Sequence, residues 1–282
     1  MFTRMANGWE LMKESFRVLR MDKELLLFPL ISGIACVLVL ASFAAPLWNS
    51  PYLTGIMDDG EIPNDPVAYV LIFAFYFVNY FVILFFNSGL VACAIIRLKG
   101  GDPTVSDGMR AARSRLPQIL AWALVSATVG MILRIIESYS EKAGQFAAAL
   151  LGGAWSIATY FVVPVMVVEQ AGPIDAVKRS FAVLRKTWGE ALTANFGIGF
   201  LRLLACLPCV VLLVIGTVML GSGSATLGAV LIGGGIFSLI MVLLISSALD
   251  SIILAALYLY ANEGMDAQHF DNSLLQESFA SR

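Results

Sequence analysis

Cys206 and Cys209 stand three residues apart, with Leu207 and Pro208 between them, the spacing of thiol–disulfide motifs. On a helix the two thiols share a face, and Pro208 loosens the turn there. The pair lies inside a long apolar segment, where a thiol stays protonated and unreactive. With Cys36 and Cys93, also in apolar segments, it reads as small apolar filler. The stronger chemical signal is charge inside apolar runs, which is costly in hydrocarbon and occupies either a pair or a cavity. Arg134 and Glu137 lie one turn apart, Glu169 follows Pro164, and Arg202 and Asp250 sit deeper in their segments. These five residues form a candidate intramembrane polar site, with structural pairing and a transport or ligand role as its two readings. Arg202 and Asp250 are each eleven residues from one end of their segments, roughly 16 Å along a helix. That places both near the bilayer midplane and invites a pair, with Ser246, Ser247 and Ser251 as polar neighbours.

Other chemistries find no pattern to rest on. His269 is the single histidine, and Asp58-Asp59-Gly60-Glu61 lacks the alternating ligands of a calcium loop. Gly221-Ser222-Gly223-Ser224 lacks the further glycine and lysine of a phosphate-binding loop, and no Gly-x-Ser-x-Gly elbow is present. No catalytic residue, metal ligand or cofactor is therefore assigned, and the reading is of a protein that is not an enzyme. Nucleic acid is not an expected partner, because there is neither a basic excess nor basic residues interleaved with aromatics.

The elements that must position these charges are transmembrane helices. Of the 282 residues, 59% are apolar and 13% charged, about half the charge of ordinary soluble domains. Apolar segments of roughly 20 residues or more, enough to cross about 30 Å of hydrocarbon, lie at about 25–47, 67–96, 117–136, 146–168, 191–220 and 227–261. The last is long for one crossing; it extends beyond the membrane, tilts, or breaks at Gly233-Gly234-Gly235. Arg4, Lys13, Arg17, Arg20 and Lys23 form one basic cluster, Arg97, Lys99, Arg110, Arg113 and Arg115 a second, and Lys178, Arg179, Arg185 and Lys186 a third. The connections after the odd-numbered spans carry a single basic residue, Lys142, and the first is acidic. Basic loops remain in the cytoplasm, so both termini, including the tail 262–282, are expected there. The start of the chain does not read as a cleaved signal peptide. The expectation is one integral domain, all-α, with six spans as three hairpins.

Each odd span is preceded by a short basic segment with helical periodicity. Over residues 5–23, Met5, Trp9, Met12, Phe16 and Leu19 form one stripe; in the third copy Ile174, Val177, Phe181, Leu184 and Trp188 do the same. The middle copy, with Val105, Met109, Ala112 and Leu116, is weaker. Such helices lie in the headgroup plane, held by apolar area and anionic lipid. Lys13, Arg17, Arg20, Arg110, Arg113, Lys178, Arg179, Arg185 and Lys186 are the candidate headgroup contacts; the alternative is a solvated connector packed on the span ends. Lys13–Arg20 and Lys178–Arg185 match at six of eight positions, a hint of internal repetition, which in transporters places a site between repeats. Small residues at four-residue spacing, Ala225, Ala229 and Gly233 with Ala148 and Gly152, permit close helix packing or contact with a second copy or another membrane protein.

Two stretches carry a resemblance. Val163-Pro164-Val165-Met166-Val167-Val168-Glu169 followed by Gly172-Pro173-Ile174-Asp175-Ala176-Val177-Lys178-Arg179-Ser180 is one; Trp9-Glu10-Leu11 through Phe28-Pro29-Leu30-Ile31-Ser32-Gly33 is the other. Together they resemble an uncharacterised family of prokaryotic six-span membrane proteins, similar in style to the membrane domain associated with glycerophosphodiester phosphodiesterases. The resemblance implies a six-helix protein of a prokaryotic cytoplasmic membrane and carries over no catalytic residue. The expected role is a lipid-associating, membrane-organising or regulatory component. A small transporter or channel with a site near Arg202 and Asp250 is the alternative, and a membrane-embedded lipid or thiol enzyme a further one.

Overall fold

Every element described in the computed structural model is a helix or a turn between helices, with no strand among the described residues. Those residues are 13, 15–48, 65–138, 143–186, 188–222 and 224–263. Met5, Trp9 and Met12, the Asp58–Glu61 turn, Lys142 and the tail beyond Glu263 with His269 lie outside them. So do the side chains of Lys186 and Trp188. The elements run α1 (15–21), a 3-10 turn Lys23–Leu26, α2 Leu27–Leu47, α3 Pro66–Leu98, α4 Val105–Ser114 and α5 Leu116–Ser138. After these come α6 Ala143–Ala158, α7 Val162–Glu169, α8 Pro173–Lys186, α9 Trp188–Gly221 and α10 Ala225–Glu263.

Six helical stretches are long and apolar enough to cross a bilayer: Lys23–Leu47, Pro66–Leu98, Leu116–Glu137, Ala143–Glu169, Arg202–Gly221 and Ala225–Asn262. By length and composition this is a multi-pass membrane protein. Two spans bear on where the helices break. The sixth runs unbroken for 39 residues through Gly233-Gly234-Gly235, so the break considered there is absent. The fourth is the interrupted one. α6 ends at Ala158, three residues turn, and α7 starts at Val162. Pro164 falls in the first turn of α7, where its missing N–H removes no helical bond. In an uninterrupted helix its ring would press on the Tyr160 carbonyl.

The contacts divide the chain into two units. The first comprises the described parts of Met1–Leu26, Ala94–Asp102 and Thr187–Arg282. In it α9 and α10 run antiparallel. Gly216 meets Ile232, Leu220 meets Gly228 and Leu213 meets Gly235, one number rising as the other falls. A methyl group on Gly216 or Gly228 would stand 2.7 Å from its neighbour's side chain. Between lipid-facing helices there is no water to expel, so close approach at small residues supplies the packing. The opposite end of α10 is walled in by protein, with Ala248, Leu249, Ser251, Ile252, Ile253 and Ala255–Leu259 buried, and the turn Lys23–Leu26 rests against this helix.

The second unit, Leu27–Cys93 with Pro103–Lys186, holds two further antiparallel pairs. Phe28 lies on Gly89 and Phe43 stacks edge-on against Phe75, joining α2 to α3. Trp122 and Trp155 stack with centroids 5.6 Å apart, and Leu133 touches Gly152, joining α5 to α6. Two short helices complete the unit. α4 opens on a capping box in which Thr104 and Asp107 satisfy each other's backbone N–H groups. α8 packs on α7 through buried Ala176, Ser180, Val183 and Leu184.

Candidate functional site

The polar side chains singled out by the sequence resolve into separate pairs. Arg202 and Asp250 form an ion pair between α9 and α10. Arg134 Nη1 lies 3.0 Å from Glu137 Oε2, one turn along α5. Glu169, at the C-terminus of α7, accepts a bond of 3.0 Å from Arg179 Nε on α8. Arg179, expected to face lipid, is therefore held by a carboxylate. No two of these three pairs share a residue.

The helices that carry the first pair are 34 and 39 residues long, about 50 and 57 Å, and exceed the hydrocarbon thickness of about 30 Å. The Arg202–Asp250 pair is partly open, with side chains 37% and 42% exposed. Asp250 binds Arg202 Nη2, while Arg202 Nε is buried with no hydrogen-bond partner. Ser251 is turned back to its own helix, donating to the Ser247 carbonyl at 3.1 Å.

Three polar contacts escaped the sequence. The first is Arg97 at the end of α3, whose Nε and Nη2 both bind the Asp22 carboxylate after α1. These side chains are only 13% and 8% exposed, and exposed Asp102 shares Nη2. The second closes the break before α7: the Phe161 N–H donates to Ser180 Oγ at 3.0 Å, both residues fully buried. An interrupted helix leaves backbone groups orphaned, and a serine on α8 supplies the partner. The third is Arg115 Nε, which donates to the Val167 carbonyl at 3.2 Å and so takes one of α7's free C-terminal acceptors.

The candidate headgroup contacts sit mostly on exposed helix faces. Lys13, Arg17, Arg20, Arg113 and Arg185 are exposed. Arg110 is 3.5 Å from Asp107 and Lys178 is 3.8 Å from Asp175, both as exposed pairs one turn apart. The Thr104 hydroxyl and then the Thr104 backbone N–H hold the Asp107 carboxyl below its usual range. α8 is apolar on two sides. Ala176, Ser180, Val183 and Leu184 face the protein, while Ile174 and Phe181 of the expected stripe are 72% and 52% exposed. None of the four cysteines is in a disulfide; Cys93 donates to the Thr104 carbonyl at 3.4 Å, and Cys209 donates back to the Ala205 carbonyl.

Comparison with known proteins gives the chain a family and no activity. No curated protein matches it. One family model matches residues 66–268, well over half of the chain, and the protein thus belongs to DUF6159, a family of unknown function.

Proposed function

We propose that this protein is a lipid-associating, membrane-organising component of a prokaryotic cytoplasmic membrane, not an enzyme. In this reading the spans form three hairpins, each led by a short basic helix lying in the cytoplasmic headgroup region, with both termini in the cytoplasm. The observation that carries it is the two-sided character of α8. One face is buried against α7, and the other presents exposed Ile174 and Phe181 beside exposed Lys178 and Arg185. Apolar side chains flanked by basic ones suit the boundary between acyl chains and anionic headgroups. In water alone, an exposed phenylalanine and isoleucine on one short helix would have no such partner. The antiparallel pairs α2–α3, α5–α6 and α9–α10 support the hairpins, and the asymmetry of basic clusters supports the orientation. The resemblance to the membrane domain associated with glycerophosphodiester phosphodiesterases fits the same lipid setting.

The test has two arms. Reporter fusions after Ser281 and within Tyr52–Asp65 should report opposite compartments. The full chain, reconstituted in bilayers, should gain thermal stability from phosphatidylglycerol over phosphatidylcholine. Neutralising Lys178 and Arg185 together should remove part of that gain. Equal stability in the two lipids defeats the lipid reading, and equal reporter signals defeat the orientation.

A second reading has one observation in its favour. The fourth span is interrupted, and transporters place sites at discontinuous helices. Against it, Ser180 already satisfies the N–H exposed at the break, and Arg202 and Asp250 already bind each other. Solute or ion flux into proteoliposomes that disappears with Asp250→Asn would favour this reading.

A further inference from the structure

The three short basic helices share one register, and the structure supplies the alignment. Ser180 of α8 meets the backbone of Phe161, 19 residues earlier, before α7. Gly108 of α4 meets Gly89 of α3, again nineteen residues earlier. A methyl group on Gly108 would stand 2.7 Å from the Gly89 carbonyl oxygen. Ser15 of α1 holds Ser180's place in the match between Lys13–Arg20 and Lys178–Arg185, and it too is fully buried. The turn after α1 packs on α10, the last span, as α4 packs on α3 and α8 on α7. The pairing is thus cyclic along the chain.

With Ser15, Gly108 and Ser180 superposed, their neighbours fall into line. The next residue is Phe16, Met109 or Phe181. Four positions on is a buried Leu19, Ala112 or Leu184, and one further is Arg20, Arg113 or Arg185. The buried residues fix which side of each helix faces the spans. Each arginine then lies four residues after the apolar side chain, on the same outward side. All three arginines are exposed, and in α1 the Arg20 guanidinium lies 4.7 Å over the Phe16 ring. No other basic position recurs in all three copies. Lys13 and Lys178 correspond to Ser106, and Arg17 and Arg110 correspond to Ala182.

We infer that these apolar–arginine pairs are three equivalent headgroup sites, each taking the phosphate of one anionic phospholipid. The inference rests on the lipid-associating function proposed above and gives it a ligand, a residue set and a stoichiometry. A guanidinium meets a phosphate through two parallel N–H bonds, while the neighbouring Phe or Met side chain enters the acyl boundary. Free phosphate would use only the first of these contacts, so the occupant is a lipid. The placement agrees, because the exposed apolar face of α2 begins at Leu27, seven residues after Arg20.

The test is native mass spectrometry of the full chain, released from detergent after titration with phosphatidylglycerol or phosphatidylcholine. Three retained phosphatidylglycerol molecules are expected. Arg20→Gln, Arg113→Gln and Arg185→Gln should each remove one, and the triple variant all three, without change in melting temperature. Lys99→Gln, an exposed charge outside the three helices, should leave three. If the count ignores the three arginines, or falls as far with Lys99→Gln, the sites are overturned while a phosphatidylglycerol preference still upholds general lipid association. If the two lipids are retained equally, or neither is retained, both readings fail.

Discussion

Replacing Asp22 by alanine should be among the most damaging polar substitutions in the described structure. Arg97 presents Nε and Nη2 to this one carboxylate, and the two side chains are 13% and 8% exposed. Truncation strands a guanidinium in a shielded place, which for a fully buried pair costs about 3–5 kcal/mol. Here Asp102 remains beside Nη2 and is 91% exposed, so part of the charge stays compensated and the expected cost is about 2–3 kcal/mol. Losing Asp102 removes only an exposed partner, worth about 0–1 kcal/mol. At roughly 2–4 °C per kcal/mol for a chain of this size, Asp22→Ala should lower the melting temperature by on the order of 5–10 °C. Asp102→Ala should lower it by less than about 3 °C on the same basis. Asp22→Leu combined with Arg97→Met should recover much of the loss, since no buried charge is left unpaired. Tryptophan fluorescence during heating in one fixed detergent provides the assay. Equal shifts for Asp22→Ala and Asp102→Ala, or a double variant no better than Asp22→Ala, would refute the argument.

Other expectations rest on different contacts. Arg202→Ala and Asp250→Ala should each cost about 1–2 kcal/mol, below the value for a dry pair, because the two side chains are 37% and 42% exposed. The charge-swapped double variant should melt above either single one. Ser180→Ala deprives the buried Phe161 N–H of its acceptor and should cost about 1–3 kcal/mol in thermal unfolding, whereas Ser180→Thr keeps the hydroxyl and should cost less. Asp107 has its carboxyl pKa depressed by Thr104, so its contribution is present above the ordinary aspartate range and fades as pH falls through the lower folded value. Asp107→Asn should flatten the acid side of a melting-temperature profile below about pH 4 and leave neutral pH less affected; an unchanged acid limb would contradict this.

The spans were legible because apolar runs and the exclusion of charge from them are properties of the chain itself. What the sequence concealed depends on three-dimensional neighbours. The interruption at Thr159–Phe161 leaves no trace in hydropathy, since both halves are apolar; Pro164 was the available signal, and it acts on the turn before it. In α8 the apolar stripe read from periodicity is split, with Ile174 and Phe181 exposed and Leu184 buried. The buried face includes Ala176 and Ser180, small or polar residues that a hydrophobicity count assigns to solvent. Asp22 and Arg97 are 75 residues apart, and only the fold joins them. The one hint was an aspartate inside a basic cluster and an arginine closing a long stretch without positive charge.

The most direct measurement is the depth of α8 in a bilayer. Nitroxide labels placed singly at Ile174, Phe181 and Asp175 in the reconstituted full chain should give different power-saturation profiles. Ile174 and Phe181 should favour collisions with oxygen over a water-soluble nickel chelate, and Asp175, an exposed position about 100° round the helix from Ile174, the reverse, marking a helix lying in the headgroup plane. Equal, fully aqueous profiles at all three positions would make α8 a solvated connector and contradict the lipid-associating account.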